Sequence, residues 1–406
     1  MNRRRTAAIW ATFGFVHAVL VLENLFAPNG PLGDVQVTYP QWWLAALISG
    51  DYPGLTASGV YPFLALFPIA IAAEGVAAWF VLVVAVDAIA LAFVARRSLT
   101  AAYVWLTFQL ALGPIALGRI DAVTVALAII AVTILERSPR ASGILVAVAT
   151  WVKVWPVAIG LAVMRSTRFA QFARWSIGSA LALAAVGIVV GDRFSVFSFL
   201  SQQQGRGIQV EAVAATPWLW DAWRAGSSTV TYSADIHTFE IVGPGTATVA
   251  QFLTIAQALA VLAVGVALVM HRRTATLVSA SFGFSLLVLV SLLVTTNKVG
   301  SPQFVSWFAV PLVAMVLVNA SRATTVLVAL IGSVAVLTHV IYPYAYFAFL
   351  ELRTVPLVLV SVRNVAEVAL LVTSSVVLLT QLRVEKLAKQ FADLGIGNQE
   401  GVVPER

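Results

Sequence analysis

The sequence predicts an all-α protein that crosses a membrane many times. Three observations carry that prediction. Of its 406 residues, 60% are hydrophobic and only 11% charged; mean hydropathy is +0.93; and apolar runs of about 20 residues, the length a bilayer core of about 30 Å requires, recur along the chain. A soluble domain carries roughly a quarter charged residues, so a soluble protein is excluded. Cysteine is absent, which removes disulfides, thiolate metal sites and cysteine nucleophiles. His17, His237, His271 and His339 form no pair at ligand spacing, so neither a metal site nor a cofactor is expected.

The first run, 6 to 26, follows Arg3, Arg4 and Arg5 and is long for a signal peptide, with no clear small-x-small cleavage site; it reads as an uncleaved span. Further spans fall near 75–95, 99–117, 122–136, 175–191, 251–270, 275–295, 302–319, 323–341 and 356–381. With segment 141–165 they make roughly eleven membrane segments. If the N-terminus is cytoplasmic, the loops with Arg96, Arg97, Arg137, Arg140, Arg272, Arg273 and Arg322 fall on the same side. Arg383, Lys386 and Lys389 in the tail join them, which satisfies the positive-inside rule. The net charge of +7 therefore reflects insertion, and no nucleic-acid partner is expected. Residues 1–382 read as one membrane domain and 383–406 as a cytoplasmic tail, a short helix with a disordered end.

Segment 141–165, "ASGILVAVATWVKVWPVAIGLAVM", has basic residues on both flanks. Pro156 removes a backbone donor and breaks a helix. Two half-helices that return to the cytoplasm, with Lys153 near the far side, satisfy the charge rule; a kinked single span with a snorkelling lysine is the alternative. The acids separate by side: Asp34, Asp51, Glu74, Asp121, Asp192, Glu211, Asp221, Asp235, Glu240 and Glu351 lie outside under this topology. Polar chemistry is thus expected in two long outer segments, 27–74 and 192–250, of a length usually reserved for function. No internal repeat is visible, which weakens a transporter built from paired halves.

Several stretches occur in a telling order: "GDVQVTYPQWW", "SGVYPFLALFPIA", "ALGRIDAVTVALAIIAV", "SGILVAVATWVKVWPVAIGLAV", "QQQGRGIQVEAV" and "TNKVGSPQFVSWFAVPLV". Together they cover about residues 30 to 320 and resemble glycosyltransferase family 87, membrane enzymes of the C-type fold. The resemblance implies transfer of a sugar, mannose first and arabinofuranose second, from a polyprenyl-phosphate donor to a glycolipid or lipid-linked glycan outside the cell membrane. It also implies a base in the first outer loop. Relatives often open the third motif with an amide where this chain has Arg119, which implies altered donor or acceptor contacts.

Such a transfer needs a base, positioned substrates and cations at the phosphate leaving group. Asp34 is the candidate base, its residue-level alternative being a helix cap after Gly33; Asp51 in "SGDYPG" reads as a turn residue and is the second choice. Lys298, Arg206 between two glycines, and Lys153 are the candidate phosphate-binding cations, with His339 as a further hydrogen-bonding group. Asp121 with Arg119 either orients an acceptor sugar or forms an interfacial ion pair. Tyr61 and Trp42, beside Trp43, Tyr39 and Tyr52, offer faces for a sugar or form a membrane-interface belt. Glu23, Asp87, Arg363 and Glu367 lie in apolar surroundings, and Arg363 with Glu367 has i,i+4 pairing geometry. A proton-coupled transporter, the main rival, would depend on Asp87, Glu367 and Lys153; a scaffold would depend on none of these residues.

Overall fold

The structure, a computed structural model, describes residues 3–192, 194–202, 205–234, 238–271, 280–318 and 321–393. Asp235, His237, the loop with Arg272 and Arg273, the start of the 275–295 span and the tail beyond 393 lie outside them. The protein is a multi-pass helical membrane protein. Among the described residues seven helices are long and apolar enough to cross a membrane. They are α1 (Arg3–Phe26), α4 (Val76–Arg97), α5 (Leu99–Leu112) with its 3₁₀ continuation to Ala116, α9 (Phe169–Val190), α11 (Thr246–Met270), α14 (Arg322–His339) running on to Leu350, and α16 (Thr354–Asp393). Between α1 and α4 the first long loop folds into α2 (Tyr39–Ser49) and α3 (Leu66–Ala73).

Several expected membrane segments hold helices shorter than a bilayer. Helices α6 (Asp121–Ile134) and α7 (Pro139–Val152) have 14 residues each, and the described part of the 275–295 span is α12 (Ala280–Thr295). The 302–319 span is a 3₁₀ turn followed by α13 (Ala309–Val318). Fourteen residues rise about 21 Å, too little for a lipid-facing span. Burial explains the difference: α6 and α13 are apolar around their whole circumference and sit inside the bundle. Enclosed in protein, their ends can line polar space instead of meeting hydrocarbon. By contrast α9 and α11 present Val189, Val190, Phe252 and Leu262 outward, the pattern of lipid-facing helices.

Segment 141–165 is the predicted hairpin. Helix α7 ends at Lys153, whose extended backbone breaks the run, and α8 (Val157–Val163) follows Pro156. The return is legible in how α7 meets α9: Gly143 lies against Phe172 and Ser176, whereas Trp151, two turns on, donates to the Ala180 carbonyl at 3.2 Å. Residue numbers rise together, so α7 and α9 run parallel and α8 must carry the chain back between them. Arg165, just past α8, reaches Glu385 at 2.6 Å, Ser281 at 2.6 Å and the His271 carbonyl. Arg97 likewise pairs with Glu136 at 3.2 Å, and the Arg140 guanidinium lies 5.7 Å from the Trp175 ring. The basic groups therefore gather at one end of the bundle. Helix α16 passes without a break through residue 382, where the sequence suggested a boundary.

The sequence gives no warning of strands, yet the 192–250 segment holds a small sheet. Strands β1 (Ile208–Gln209), β2 (Thr229–Ser233) and β3 (Thr238–Val242) are antiparallel in the order β1-β3-β2, and α10 (Thr216–Trp223) packs beside them. Two residues of β1 are too few for a periodic signal. Inside the bundle the intramembrane charges have partners. Asp87 lies 3.1 Å from His17 Nε2 and accepts from Gln109 at 2.6 Å, tying α1, α4 and α5 together. Arg363 and Glu367 pair at 3.6 Å on one face of α16, as their spacing predicts.

Close helix packing gives a direct check. A methyl on Gly283 of α12 would meet the Met315 backbone of α13 at 2.9 Å, whereas one on Gly178 of α9 would meet nothing. Gly283→Ala is expected to destabilise by about 1–3 kcal/mol, and Gly178→Ala to stabilise by about 0.5–1 kcal/mol. Opposite shifts in melting temperature in detergent are the expected result; a Gly283→Ala protein that melts like wild type would contradict the packing.

Candidate active site

The ends of the short buried helices converge opposite the basic end, and two ion pairs fix them there. Asp121 opens α6 and Lys153 ends α7, so each charge sits at the helix terminus whose dipole favours it. Lys153 Nζ lies 2.6 Å from Asp121 Oδ2, and Trp307 donates to Oδ1 at 2.6 Å. Asp121 is 0% exposed and Lys153 9%. Aromatic rings enclose the ammonium: Phe304 at 5.2 Å, Tyr61 at 5.4 Å and Trp307 at 5.8 Å. Trp307 in turn stacks on Trp155 at 5.3 Å, so the pair is held on all sides.

The second pair joins the segment between α1 and α2 to the turn before α6. Asp34 opens a one-turn π-helix (Asp34–Thr38) and makes no cap, which removes the helix-cap reading. Its Oδ2 lies 3.2 Å from Arg119 Nε, with the carboxylate a third exposed and the guanidinium buried. The remaining Arg119 donors go to the Pro31 carbonyl, to the Gly118 carbonyl at 2.8 Å and to the Tyr342 hydroxyl at 2.8 Å. Arg119 and Asp121 are therefore not partners of each other. Asp34 Oδ1 has no hydrogen-bond partner among the described residues.

Between these pairs and α11 lies a cavity of about 330 Å³, large enough for part of a lipid-linked ligand. Lys153, Arg206, Lys298, Tyr61, Trp155 and Gln257 are among its lining residues. The sheet places two of the cations. Glu240 on β3 accepts from the Gly207 backbone at 2.8 Å, fixing the turn that carries Arg206. The Gln209 backbone on β1 donates to the Lys298 carbonyl at 2.9 Å. Gly300 then packs against Glu211 and Ala212 so closely that a side chain has no room. The "QQQGRGIQVEAV" and "TNKVGSPQF" stretches thus meet in space.

Electrostatics follow from that proximity. Burial pushes the Lys298 ammonium below the ordinary lysine value, and the neighbouring Arg206 guanidinium pushes it further, with Glu240 opposing. Burial likewise lowers Arg206, against the pull of Tyr61 and Glu240. Burial raises the Tyr61 hydroxyl, with Asp34 and Asp121 adding to it and Arg206 opposing. Tyr61 thus lines the same cavity as Arg206, Lys298 and Lys153.

Other expected residues fall elsewhere. His339 does not line this cavity: its Nε2 lies 3.5 Å from Glu23, and its ring occupies the space beside Gly113. Asp51 is exposed beyond α2 in a turn where Tyr52 accepts three backbone hydrogen bonds, so its turn reading holds and it faces no other site group. Lys153 lines the cavity but its charge is matched by Asp121. Trp42 is beside Tyr61, 6.1 Å between ring centres, at a smaller second cavity. Sequence reasoning missed Trp307, Phe304, Tyr342 and Glu240; the first two lie inside a stretch it singled out, but nothing local marks them as partners of Asp121 and Lys153. Among the described residues no three His, Asp or Glu side chains converge as metal ligands.

The sequence model of a family described as glycosyltransferase family 87 matches residues 52–296. No curated protein and no solved structure matches the chain.

The Lys153–Asp121 pair can be tested as a structural element. Lys153→Met leaves a buried carboxylate with Trp307 alone and is expected to cost about 3–5 kcal/mol. The double variant Lys153→Met with Asp121→Leu is expected to recover most of that loss in a thermal melt. Additive losses instead would show that the two side chains are not coupled.

Proposed function

Because the chain belongs to glycosyltransferase family 87, we propose that this membrane glycosyltransferase moves a sugar from a polyprenyl-phosphate donor to an extracytoplasmic glycolipid or lipid-linked glycan. Mannose is the first sugar to test and arabinofuranose the second. The observation that carries the reading is the placement of Arg206 and Lys298 in a cavity that also touches Tyr61, α8 and α11. Lys153 pairs with Asp121, and Arg206 and Lys298 add two further cations to the cavity lining, with Glu240 opposing the lowering of both.

In the proposed reaction the donor phosphate rests against Lys298 and Arg206 while its polyprenyl chain leaves sideways into the membrane. The acceptor hydroxyl approaches Asp34 from the outer loops. Asp34 takes the hydroxyl proton as the new bond to the anomeric carbon forms and the bond from that carbon to the phosphate oxygen breaks. The leaving polyprenyl phosphate gains negative charge, which the two cations stabilise. One base and no covalent partner imply inversion at the anomeric carbon. Arg119 acts as a positioning residue: it holds Oδ2 of Asp34 and leaves Oδ1 for the proton. Its fourfold anchoring keeps that carboxylate fixed across the α1–α2 loop. Residues 1–382 serve as the enzyme and the end of α16 as the beginning of a cytoplasmic tail.

The test is transfer of radiolabelled mannose from polyprenyl-phosphate-mannose in membranes containing matched amounts of each protein. Asp34→Asn is expected to lose at least about 100-fold in rate, and Lys298→Ala and Arg206→Ala to raise the donor KM. Equal transfer by wild type and Asp34→Asn would remove Asp34 as the base. No transfer above empty membranes from either mannosyl or arabinofuranosyl donors would overturn the proposal.

A pH dependence follows from the lowered Lys298. Only the protonated amine attracts phosphate, and its depressed pKa means the proton is lost at lower pH than in an ordinary lysine. Donor KM is expected to climb with pH below the ordinary lysine range, and to stay flat to higher pH in Lys298→Arg. Identical profiles for the two proteins would take Lys298 out of the phosphate site.

A further inference from the structure

A second cavity, of about 170 Å³, adjoins the larger one and shares Val60 and Tyr61 with it. We infer that it is a saccharide subsite holding one sugar ring of the acceptor, an assignment that rests on the proposed glycosyl transfer for the identity of the ligand's carrier. Its size is about half that of the donor cavity, which suits a single ring and not a lipid head with its chain. Its chemistry is divided as a sugar's is. Ala65, Ile69 and the Trp42 indole supply an apolar floor, and Ser58 and Gln202 a polar rim. A pyranose or furanose ring presents C–H groups on one face and hydroxyls at its edge, matching an aromatic plate below and an amide and hydroxyl above.

Two further features single the cavity out. No described residue exchanges a side-chain hydrogen bond with Trp42, Ser58 or Gln202, so an indole N–H, a hydroxyl and an amide stand available together. The wall is also rigid before any ligand arrives. Gly59 donates its backbone N–H to Ser198 at 2.9 Å, and Gly54 donates to the Ala57 carbonyl at 2.8 Å. Gly54 has φ +77°, and the Tyr61 carbonyl stands 2.6 Å from where its Cβ would be, so only glycine fits. A loop that holds its shape without a ligand binds one at lower entropic cost.

The position links the subsite to the reaction. Trp42 lies 6.1 Å, ring to ring, from Tyr39, whose hydroxyl accepts from the Ile120 backbone next to Arg119, the partner of Asp34, so a ring on Trp42 is close to the base that receives the acceptor proton. The acceptor is then a molecule that already carries sugar, and a bare lipid alcohol leaves the subsite empty.

The experiment measures binding without any donor. Wild-type protein in nanodiscs is titrated with methyl α-mannoside, methyl α-arabinofuranoside and their α-linked disaccharides, with Gln202→Leu and Ser58→Leu alongside. Both side chains are exposed, so the variants are expected to melt like wild type. At least one glycoside is expected to bind, at least tenfold more weakly in each variant. Absence of binding by all four at millimolar concentration, or equal binding by wild type and variants, overturns the subsite. Because no donor is present, the two proposals fail separately. Gln202-dependent binding without transfer from either polyprenyl-phosphate sugar sinks the donor assignment alone; transfer with Gln202-independent binding sinks the subsite alone.

Discussion

The bond between Lys153 and Asp121 is the constraint on which the site depends. Each charge would be costly alone in the interior of a membrane protein, and at 2.6 Å each removes the other's cost. The pair also settles the course of the chain. It clamps the start of α6 to the break after α7, so the chain must turn at Pro156 and come back as α8 instead of crossing. That return leaves non-helical backbone inside the bundle, where it is tolerated because it lines a cavity and not lipid. The aromatic rings of Phe304, Trp155 and Trp307 complete the clamp and form the cavity wall at the same stroke. Fold and pocket therefore share one origin.

The membrane fold was legible because its signal is additive over many residues. Apolar runs, basic loops and the arrest at Pro156 each report locally on where the chain enters or leaves a bilayer, and Arg97 with Glu136 or Arg165 with Glu385 falls where the charge rule expects. The site was legible only as a set of residue types. Asp34, Arg119, Asp121, Lys153, Arg206 and Lys298 stand out in the sequence as charges in apolar or glycine-rich surroundings. Which charge faces which is a long-range fact. Arg119 pairs with Asp34 and not with Asp121, two residues on, which opens α6 and pairs with Lys153. The sheet was illegible for the same reason: β1 exists only because β3 lies beside it. His339, attractive as a polar residue at a span's end, sits instead on Gly113 and Glu23, a pocket made by a glycine more than two hundred positions away.

That small sheet gives the 192–250 segment a mechanical role. Loops on a membrane bundle are the least constrained parts of such a chain, yet Arg206 and Lys298 must share one cavity. Glu240 fixes the Arg206 turn through the Gly207 amide, while Gln209 holds Lys298 through its carbonyl. A carboxylate that grips backbone leaves its neighbouring guanidinium only partly compensated. Among the described residues Arg206 Nε is buried without a hydrogen-bond partner, a cost that a bound anion would offset.

The charge arrangement also bears on when stabilisation is strongest. Two of the site's carboxylates are matched within the protein, Asp34 by Arg119 and Asp121 by Lys153, and Arg206 and Lys298 line the cavity, with Glu240 opposing the lowering of both. A polyprenyl-phosphate sugar enters the proposed reaction with one negative charge, and the departing lipid phosphate carries up to two. Attraction to the two cations therefore grows as the bond to the sugar breaks, so the same contacts bind the transition state more strongly than the donor. Since burial and mutual repulsion already depress Lys298, the arriving charge also restores its hold on the proton. The desolvation of Lys298 and Arg206 is offset most as the leaving group forms, which is the condition for a binding site to act as a catalytic one.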